Sequence, residues 1–346
     1  MFENSAPEDI CIVRLSAIGD TCHALAVVRN LQDNWPDARI TWLIGKTEAA
    51  LLGDIPDVEF ITFDKANGPS AYADVRKQLS GRRFDVALCM HASMRANFLY
   101  RLIPAAHKIG FDRARARDFQ WLFTDLRIPP ASGEHVLEAM MGFARFIGAR
   151  TTDLRWDIPL DDGDRQFAAG YSGQRMVVIS PCSSQRSRNF RNWPVEHFIT
   201  IVQYLRERYQ AEIVLTGGNS TLERDYADKI CATSGASNLV GRTSLKQLLA
   251  LLAAADLVIC PDSGPAHMAT AARTAVVGLY ATSNPDRTGP YLSRHSTVNR
   301  YPDALRRYLG KEPGDVRWGR RVRHPDAMSL ITTDDVKCKI DDLFGK

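Results

Sequence analysis

Short apolar runs alternate with amphipathic stretches along most of this chain, and no other feature limits its possible folds as strongly. In the first half the pattern predicts strands over Ile10–Leu15, Arg39–Ile44, Val58–Phe63, Asp85–Met90 and Lys108–Phe111, with helices over Thr21–Asn34 and Ala71–Ser80 between them. Such alternation is typical of a parallel sheet covered by helices on both faces. The first half therefore predicts an α/β, doubly wound domain.

A second series of the same kind fills the second half. It predicts strands over Met176–Ser180, Glu212–Thr216, Leu257–Cys260 and Ala275–Tyr280, and helices over Val195–Tyr209, Leu222–Ser234 and Leu245–Ala255. The segment Leu154–Asp164, with Pro159 and several Asp, interrupts the series and is the predicted linker. We expect two Rossmann-like domains, 1–160 and 161–328, facing across a cleft, because ligands bind at the carboxyl ends of parallel strands. Residues 329–346 predict a terminal helix, packed back on the first domain.

Composition excludes several classes of protein. The 346 residues are 45% hydrophobic, and a net charge of only +4 does not suggest a general nucleic-acid binder. No apolar run approaches the ~20 residues that span a bilayer, and the first residues lack a signal peptide's basic and apolar regions, so we expect a cytosolic protein. The seven cysteines are scattered without a C-x-x-C pair. This favours reduced, mostly buried thiols over a disulfide framework or a zinc site.

The segment Leu257–Ala272 carries the strongest local signal. A buried strand ends at Pro261, and Asp262, Ser263 and Gly264 then supply the chemistry of a turn and a helix start. Backbone N–H groups at such a helix start, together with the helix dipole, favour an anion and most often a phosphate. His267, about one turn in, could add a donor. The alternative is an ordinary capped helix with a core-facing His.

The loop after the predicted strand Met176–Ser180 has the composition of a second anion site. Ser183 and Ser184 can donate to phosphate oxygens, and Arg191 offers a planar guanidinium shortly before Trp193-Pro194 starts a helix. The alternative is a solvated basic loop. Its place at a strand end favours the anion site.

Two further strand ends carry weaker signals. Gly217-Gly218 permits the close approach of a ligand, and Glu223 behind it could accept hydrogen bonds from ribose hydroxyls. In the first half, Asp20 follows Gly19 at the start of the first predicted helix. Asp20 either caps that helix or acts as a general base on an attacking hydroxyl. His23, one turn on, is a weaker candidate.

Four motifs occur together in an order and spacing that resemble the lipopolysaccharide heptosyltransferase family, which is glycosyltransferase family 9 with the GT-B fold: Arg14-Leu-Ser-Ala-Ile-Gly-Asp20, Arg191-Asn-Trp193-Pro194, Gly217-Gly218 with Glu223, and Asp262-Ser-Gly-Pro-Ala-His267. The resemblance runs from about Ile10 to Leu343. Each motif has low specificity alone, but the ordered set is specific.

The resemblance implies an inverting transferase, without metal or cofactor, that moves a heptose from ADP-heptose to the lipopolysaccharide inner core, a Kdo-lipid A type of acceptor, at the cytosolic face of the inner membrane. Asp20 matches the catalytic base. The remaining donor-site positions implied are Ser183, Ser184, Arg191, Asp262, Ser263, Gly264 and His267 at the diphosphate, Glu223 at the ribose, and Thr243 beside the adenine. Arg191 stands where the family commonly has Lys. A guanidinium and a helix dipole would stabilise the departing ADP in place of a divalent ion.

Two basic stretches bear on partners. Arg113, Arg115 and Arg117, interspersed with aromatic residues, suggest contacts to a phosphorylated acceptor and to an anionic membrane surface, the alternative being a solvated face. The second stretch, over residues 300–323, is more basic than in the commonest members of the family and resembles a subgroup associated with saccharide assembly.

Other functions remain open from the sequence. A nucleotide-sugar epimerase shares the expected architecture and would turn over the donor without an acceptor. A non-catalytic, nucleotide-sugar-binding regulator of polysaccharide synthesis would keep the donor site but not require Asp20. An NAD-dependent dehydrogenase is disfavoured because the first turn lacks G-x-G-x-x-G.

Overall fold

The computed structural model describes residues 1–2, 6–151, 153–171, 173, 175–183 and 189–345. The chain divides into two compact units, Met1–Pro159 and Leu160–Lys346. Each unit is built on a six-stranded sheet whose strands all pair in parallel.

The first unit has the sheet order β3-β2-β1-β4-β5-β6. Its strands are β1 Asp9–Val13, β2 Arg39–Gly45, β3 Val58–Phe63, β4 Phe84–Leu88, β5 Ala105–Gly110 and β6 Leu126–Arg127, and its helices are α1 Ile18–Asn34, α2 Lys46–Leu52, α3 Ser70–Gln78, α4 Met94–Tyr100 and α5 Val136–Ile147. The chain leaves β1 toward β2 on one side and later returns to place β4 on the other side. The crevice between β1 and β4 is therefore the topological switch point, where doubly wound folds bind ligands.

The second unit repeats this plan with the order β12-β11-β10-β7-β8-β9. Its strands are β7 Met176–Ile179, β8 Glu212–Leu215, β9 Ser237–Asn238, β10 Leu257–Pro261, β11 Val276–Tyr280 and β12 Val298–Asn299, and its helices are α6 Asp162–Ala169, α7 Val195–Tyr209, α8 Thr221–Ser234, α9 Leu245–Ala254, α10 Gly264–Ala271, α11 Pro285–Thr288, α12 Tyr301–Leu309 and α13 Thr333–Phe344. Here the switch point lies between β7 and β10.

The terminal helix α13 packs in the second unit. Val336 and Ile340 are fully buried in the core cluster that also holds residues of α7. Tyr204 and Tyr209 of α7 donate their hydroxyls to Asp341 Oδ1 over 2.5 and 2.6 Å. The sequence predicted that this helix packs on the first domain. That prediction is wrong for the apolar side of the helix, Val336 and Ile340, which is buried against α7 in the second unit.

The predicted linker Leu154–Asp164 is ordered and belongs to both units in turn. Trp156 is buried in the first unit and donates its indole N–H to the carbonyl oxygen of Cys22 over 2.9 Å. Asp161 then caps α6 by accepting from the N–H of Asp164 over 2.7 Å. The change from one unit to the next thus needs only a few residues around Pro159.

The cysteines behave as expected from their spacing. All seven are free thiols, and five of them are buried, namely Cys11, Cys22, Cys89, Cys182 and Cys260. In the part of the chain described above, none of the helices has the length and apolar character needed to cross a membrane.

Candidate active site

Asp20 lies in the first turn of α1, at the switch point of the first unit. Its carboxylate forms an ion pair with Arg14, which follows β1, and accepts weakly from the N–H of Ala17 over 3.4 Å. Arg14 also donates to the carbonyl oxygen of Met90, which follows β4, over 2.6 Å. Because 36% of the Asp20 side chain is exposed, the carboxylate is held in place yet open to a substrate.

His91 completes the lining of this switch point, and the sequence reasoning did not single it out. Its Nδ1 accepts from the N–H of Leu15 over 3.2 Å, and its carbonyl oxygen accepts from the hydroxyl of Tyr100 over 2.6 Å. Burial, with a further contribution from the Arg14 charge, lowers the pKa of His91 to about 3, so the ring is neutral at pH 7. The sequence did contain a signal for His91, since it is a polar residue directly after the predicted strand Asp85–Met90.

His23 lies elsewhere. The side chain is buried and its ring contacts that of His135 edge-to-face, with the centroids 5.4 Å apart. His135 caps the start of α5 by accepting from the N–H of Leu137 over 3.1 Å. His23 therefore belongs to the packing of α1 against α5, which supports the weaker role given to it from the sequence.

In the second unit, Arg191 reaches across the switch point. It stands between β7 and α7, and its Nη1 donates over 2.8 Å to the carbonyl oxygen of Asp262, which follows β10. The Asp262 carboxylate lies 3.7 Å from the same nitrogen and accepts from the hydroxyl of Ser283 over 2.8 Å. Both side chains are largely buried. A guanidinium held in this way is fixed next to the N-terminus of α10.

The start of α10 keeps donors available for an anion. Ser263 is the N-cap residue, but its hydroxyl donates back to the carbonyl oxygen of Pro261 over 3.0 Å and makes no capping bond to the helix. The N–H groups of the first turn, including that of Gly264, are therefore not capped by this side chain. His267 lies one turn in and is buried. Together with Arg191, this helix start has the features of a diphosphate site.

Ser183 is fixed by Asn189 and Asn192, to which the sequence analysis assigned no role. Its N–H donates to Asn192 Oδ1 over 2.9 Å, and its hydroxyl donates to Asn189 Oδ1 over the same distance. The N–H of Arg191 also donates to Asn189 Oδ1, over 3.2 Å. These bonds join Ser183 and Arg191 in one loop. The predicted partner Ser184 lies outside the described residues.

Glu223 acts first as a helix cap. It stands in the first turn of α8 and accepts from the N–H groups of Gly218 over 2.7 Å and Ser220 over 3.2 Å, and from the Ser220 hydroxyl over 2.5 Å. Its carboxylate is thereby placed at the mouth of the Gly217-Gly218 turn. Thr243 lies half-buried just before α9, on the loop whose Gly241 N–H donates to the carbonyl oxygen of Gly217 over 3.0 Å. The two loops are thus neighbours.

The three predicted acceptor arginines have different surroundings. Arg115 contacts Asp112 Oδ1 over 2.5 Å, Glu134 Oε2 over 2.7 Å and the carbonyl oxygen of Pro129 over 2.5 Å. Its guanidinium therefore holds the loop together. Arg113 and Arg117 are exposed and remain accessible to a ligand.

In the basic stretch 300–323, as in the stretch before it, some arginines are held in ion pairs within the protein. Arg300 pairs with Asp335 over 2.6 Å, and Arg306 pairs with Asp303 over 2.8 Å. Val322 is buried, and its N–H donates to the carbonyl oxygen of Thr282 over 2.9 Å, which attaches the stretch to the carboxyl end of β11. Among the residues with described positions, no group of three His, Cys, Asp or Glu side chains is arranged to hold a metal ion.

Comparison with known proteins decides the family. Residues 72–306 match glycosyltransferase family 9 (heptosyltransferase). The lipopolysaccharide core heptosyltransferase OpsX of Haemophilus influenzae is 36% identical over 335 residues, which are 96% of this chain and 95% of that protein. This chain belongs to glycosyltransferase family 9. It is therefore a glycosyltransferase, as the four motifs suggested.

Solved structures show the same fold. The glycosyltransferase family 9 protein from Veillonella parvula superposes with a TM-score of 0.78 at 19% identity, covering 99% of this chain and 98% of that one. Heptosyltransferase WaaC from E. coli, solved with ADP, gives a TM-score of 0.74 at 19% identity over 97% and 99% of the two chains. Its structure with ADP-2-deoxy-2-fluoro heptose gives 0.72 at 18% identity over 96% and 99%. The expected GT-B fold is confirmed.

Proposed function

We propose that this glycosyltransferase moves a heptose from ADP-heptose to a sugar hydroxyl of the lipopolysaccharide inner core, with inversion at the anomeric carbon. Kinship with the H. influenzae core heptosyltransferase supports the heptose and the acceptor class. The observation that carries the donor class is the bond from Arg191 to the Asp262 carbonyl oxygen, which fixes a guanidinium beside the open helix start of α10.

The donor site suits a nucleoside diphosphate that leaves. When the acceptor oxygen bonds to the anomeric carbon, the bond from that carbon to the phosphate oxygen breaks, and its electron pair stays on the diphosphate. Arg191 and the N–H groups at Ser263 and Gly264 are proposed to stabilise this growing negative charge. Ser183 is proposed to donate to a phosphate oxygen from the same loop as Arg191. Under this proposal a divalent ion is not required.

Asp20 is proposed as the general base that takes the proton of the attacking hydroxyl. Its partial exposure leaves the carboxylate accessible, and the ion pair with Arg14 sets its orientation. Arg14 does not have to touch the substrate in this scheme. Since Arg14 is itself fixed by the carbonyl oxygen of Met90, the base is positioned from both sides of the switch point.

The nucleoside and the acceptor are assigned to other loops. Glu223 is proposed to contact the ribose and Thr243 to border the adenine, while Asp262 and His267 support the diphosphate loop. Arg113 and Arg117 are proposed to bind acceptor phosphates. Because that acceptor is anchored in lipid, we propose that the protein acts at the cytosolic face of the inner membrane as a peripheral protein.

The test is transfer of heptose from ADP-heptose to a lipid-free inner-core acceptor, followed by mass spectrometry. Formation of an acceptor larger by one heptose, with release of ADP, is the expected result. Loss of donor without any acceptor would support an epimerase instead. Binding of ADP-heptose with no turnover under any condition would support the regulator and contradict the proposed reaction.

A further inference from the structure

A cluster of exposed apolar side chains lies on the first unit. Met94 is 39% exposed, Phe98 47%, Phe119 60% and Leu122 63%, whereas the other large apolar side chains of the described first unit are mostly buried. We call these four residues the docking patch. Since exposure of such side chains in one place is unfavourable in water, the docking patch needs a partner.

Contacts between two segments hold the docking patch together. Asp118 Oδ2 accepts from the N–H of Met94 over 3.0 Å, and its carbonyl oxygen accepts from the Asn97 side chain over 2.5 Å. These bonds fix the segment with Phe119 and Leu122 alongside α4. The ring of Phe98 on α4 also contacts that of Phe123, with centroids 6.2 Å apart. The two segments that carry the patch residues are thus held next to each other.

The backbone at the patch is also unusual. Asp118 and Phe119 both have positive φ, at 51° and 58°. This left-handed region disfavours a bulky aromatic residue. Because the Phe119 ring remains mostly exposed, burial in the folded unit does not offset that cost. Strained residues of this kind cluster at functional contacts, and the exposed Phe119 ring is consistent with one.

Four arginines lie beside the residues of the docking patch. Arg95, Arg101, Arg113 and Arg117 are all exposed, and none forms an ion pair with any other residue whose position is described. Two of them lie over aromatic rings: Arg101 over Phe123 at 4.8 Å and Arg113 over Trp121 at 5.1 Å from the centroid. The rim therefore carries a surplus of positive charge directly beside apolar side chains.

We propose that the docking patch binds the surface of an anionic lipid bilayer. The apolar side chains enter the boundary between headgroups and acyl chains, and the guanidinium groups of Arg95 and Arg101 pair with lipid phosphates, while Arg113 and Arg117 are left to the acceptor phosphates. Charge complementarity favours a bilayer, because exposed arginines without an ion pair among the described residues, next to exposed apolar side chains, match a surface that is anionic outside and apolar inside. The inference rests on the proposed function, in that a lipid-anchored acceptor gives the bilayer contact its purpose.

Vesicle cosedimentation without donor or acceptor tests the patch directly. The protein should bind vesicles of phosphatidylglycerol and phosphatidylcholine far better than phosphatidylcholine alone, and higher salt should weaken binding. Phe119→Asn with Leu122→Gln should reduce the affinity for the mixed vesicles at least about tenfold. The matched control is Leu222→Ala, which changes a side chain of similar exposure in the second unit and should bind as the parent does.

Thermal unfolding separates a docking role from a folding role. Asn adopts the left-handed region more readily than Phe, so Phe119→Asn alone should unfold at the same or a higher temperature. A lower unfolding temperature with unchanged vesicle affinity would overturn the proposal. So would equal binding to neutral vesicles, or a dimer of the parent that Phe119→Asn dissociates.

Activity assays distinguish this inference from the proposed function. On the lipid-free acceptor, the Phe119→Asn and Leu122→Gln double variant should transfer heptose at the parental rate, while transfer to an acceptor embedded in mixed vesicles should fall. If the parent fails on the lipid-free acceptor, the proposed function is wrong, whatever the vesicles show. If the variant loses both activities equally, the docking patch is not a membrane contact.

Discussion

The guanidinium of Arg14 links the Asp20 carboxylate to the carbonyl oxygen of Met90, joining the loops that follow β1 and β4. Arg191 makes the corresponding bond in the second unit, to the carbonyl oxygen of Asp262 after β10. Each sheet thus carries an arginine that bridges its own switch point. In the first unit the arginine orients a carboxylate, and in the second it stands beside a helix start.

Replacement of Asp20 by Asn should abolish most of the transfer. The amide cannot take the proton of the attacking hydroxyl, so kcat should fall by ~10²–10⁴, the usual contribution of a general base. Binding of ADP, measured by calorimetry, should stay within error of the parent. Asp37→Asn, an exposed Asp in the same unit, serves as the matched control. A parental rate for the Asp20 variant would remove this residue from the mechanism.

Replacement of Arg14 by Lys should lower kcat through Asp20. A single ammonium cannot bridge the carboxylate and the Met90 carbonyl oxygen in the same geometry. We expect a loss of roughly ten- to a hundredfold in kcat, with KM for the donor unchanged. In an Asp20→Asn background the same substitution should have almost no further effect, because the two residues act as one unit. Additive losses would show that Arg14 acts independently.

Replacement of Arg191 by Ala should weaken ADP binding. The loss of a charge-assisted contact to the diphosphate is expected to raise the Kd by roughly ten- to a hundredfold. The Kd of Arg191→Lys for ADP should lie between those of the parent and Arg191→Ala, since lysine keeps the charge but not the bond geometry. Calorimetric titration with ADP measures this, and Arg165→Ala, an exposed arginine on α6, is the control. Equal affinity of all three proteins would place the diphosphate elsewhere.

The neutral His91 should make the fold sensitive to acid. The pKa of His91 is lowered from 6.5 to about 3 by burial and by Arg14, so below pH 6.5 the unfolded chain binds a proton that the folded chain does not. The stability that comes from keeping His91 neutral is therefore fully present above pH 6.5. It is lost progressively as the pH falls from 6.5 toward 3. His91→Asn can still accept from the N–H of Leu15 but does not titrate. Its unfolding temperature should decline less steeply between pH 6.5 and 4, and a slope identical to that of the parent would contradict the assignment.

Truncation of Ile340 tests where the terminal helix belongs. Ile340→Ala leaves a cavity in the core shared by α13 and α7, and should reduce the free energy of unfolding by ~2–5 kcal/mol. Leu222→Ala, at a position that is 38% exposed in the same unit, should change it by less than about 0.5 kcal/mol. Denaturant titration of both variants gives the comparison. Similar stabilities would mean that the helix is not anchored through this side chain.

The regular parts of the fold were predictable because their signals are local. The helix Val195–Tyr209 and the strand Val58–Phe63 were predicted with the bounds that the structure has. Pro194 precedes that helix, and Gln210 ends it with a left-handed φ of 52°. Apolar runs bounded by turn residues identified most of the other strands. The short helices α2, α4 and α11 were missed, because seven or fewer residues carry too little periodicity. The longer helices α5, α6 and α12 were not predicted either.

The candidate site was predictable only as separate pieces. Asp262 follows the end of a predicted strand closely, and Asp20 and Arg191 lie in the connections between a predicted strand and the next predicted helix, so their placement suggested a functional role. Their partners could not be found in the same way. The bond from Arg14 to Met90 depends on β1 and β4 being neighbours, and periodicity along the chain does not reveal the order of strands in a sheet.

The sequence by itself determined the two α/β units, the positions of most strand ends and the family. Periodicity, turn chemistry and short motifs each depend on only a few neighbouring residues, so they can be recognised without the tertiary structure. Only the tertiary structure decided which strand ends meet, that α13 packs on α7, and that Arg115 is paired internally while Phe119 faces solvent. The physical reason is that pairing and exposure depend on residues far apart in the chain, which chain folding alone brings into contact or leaves uncovered.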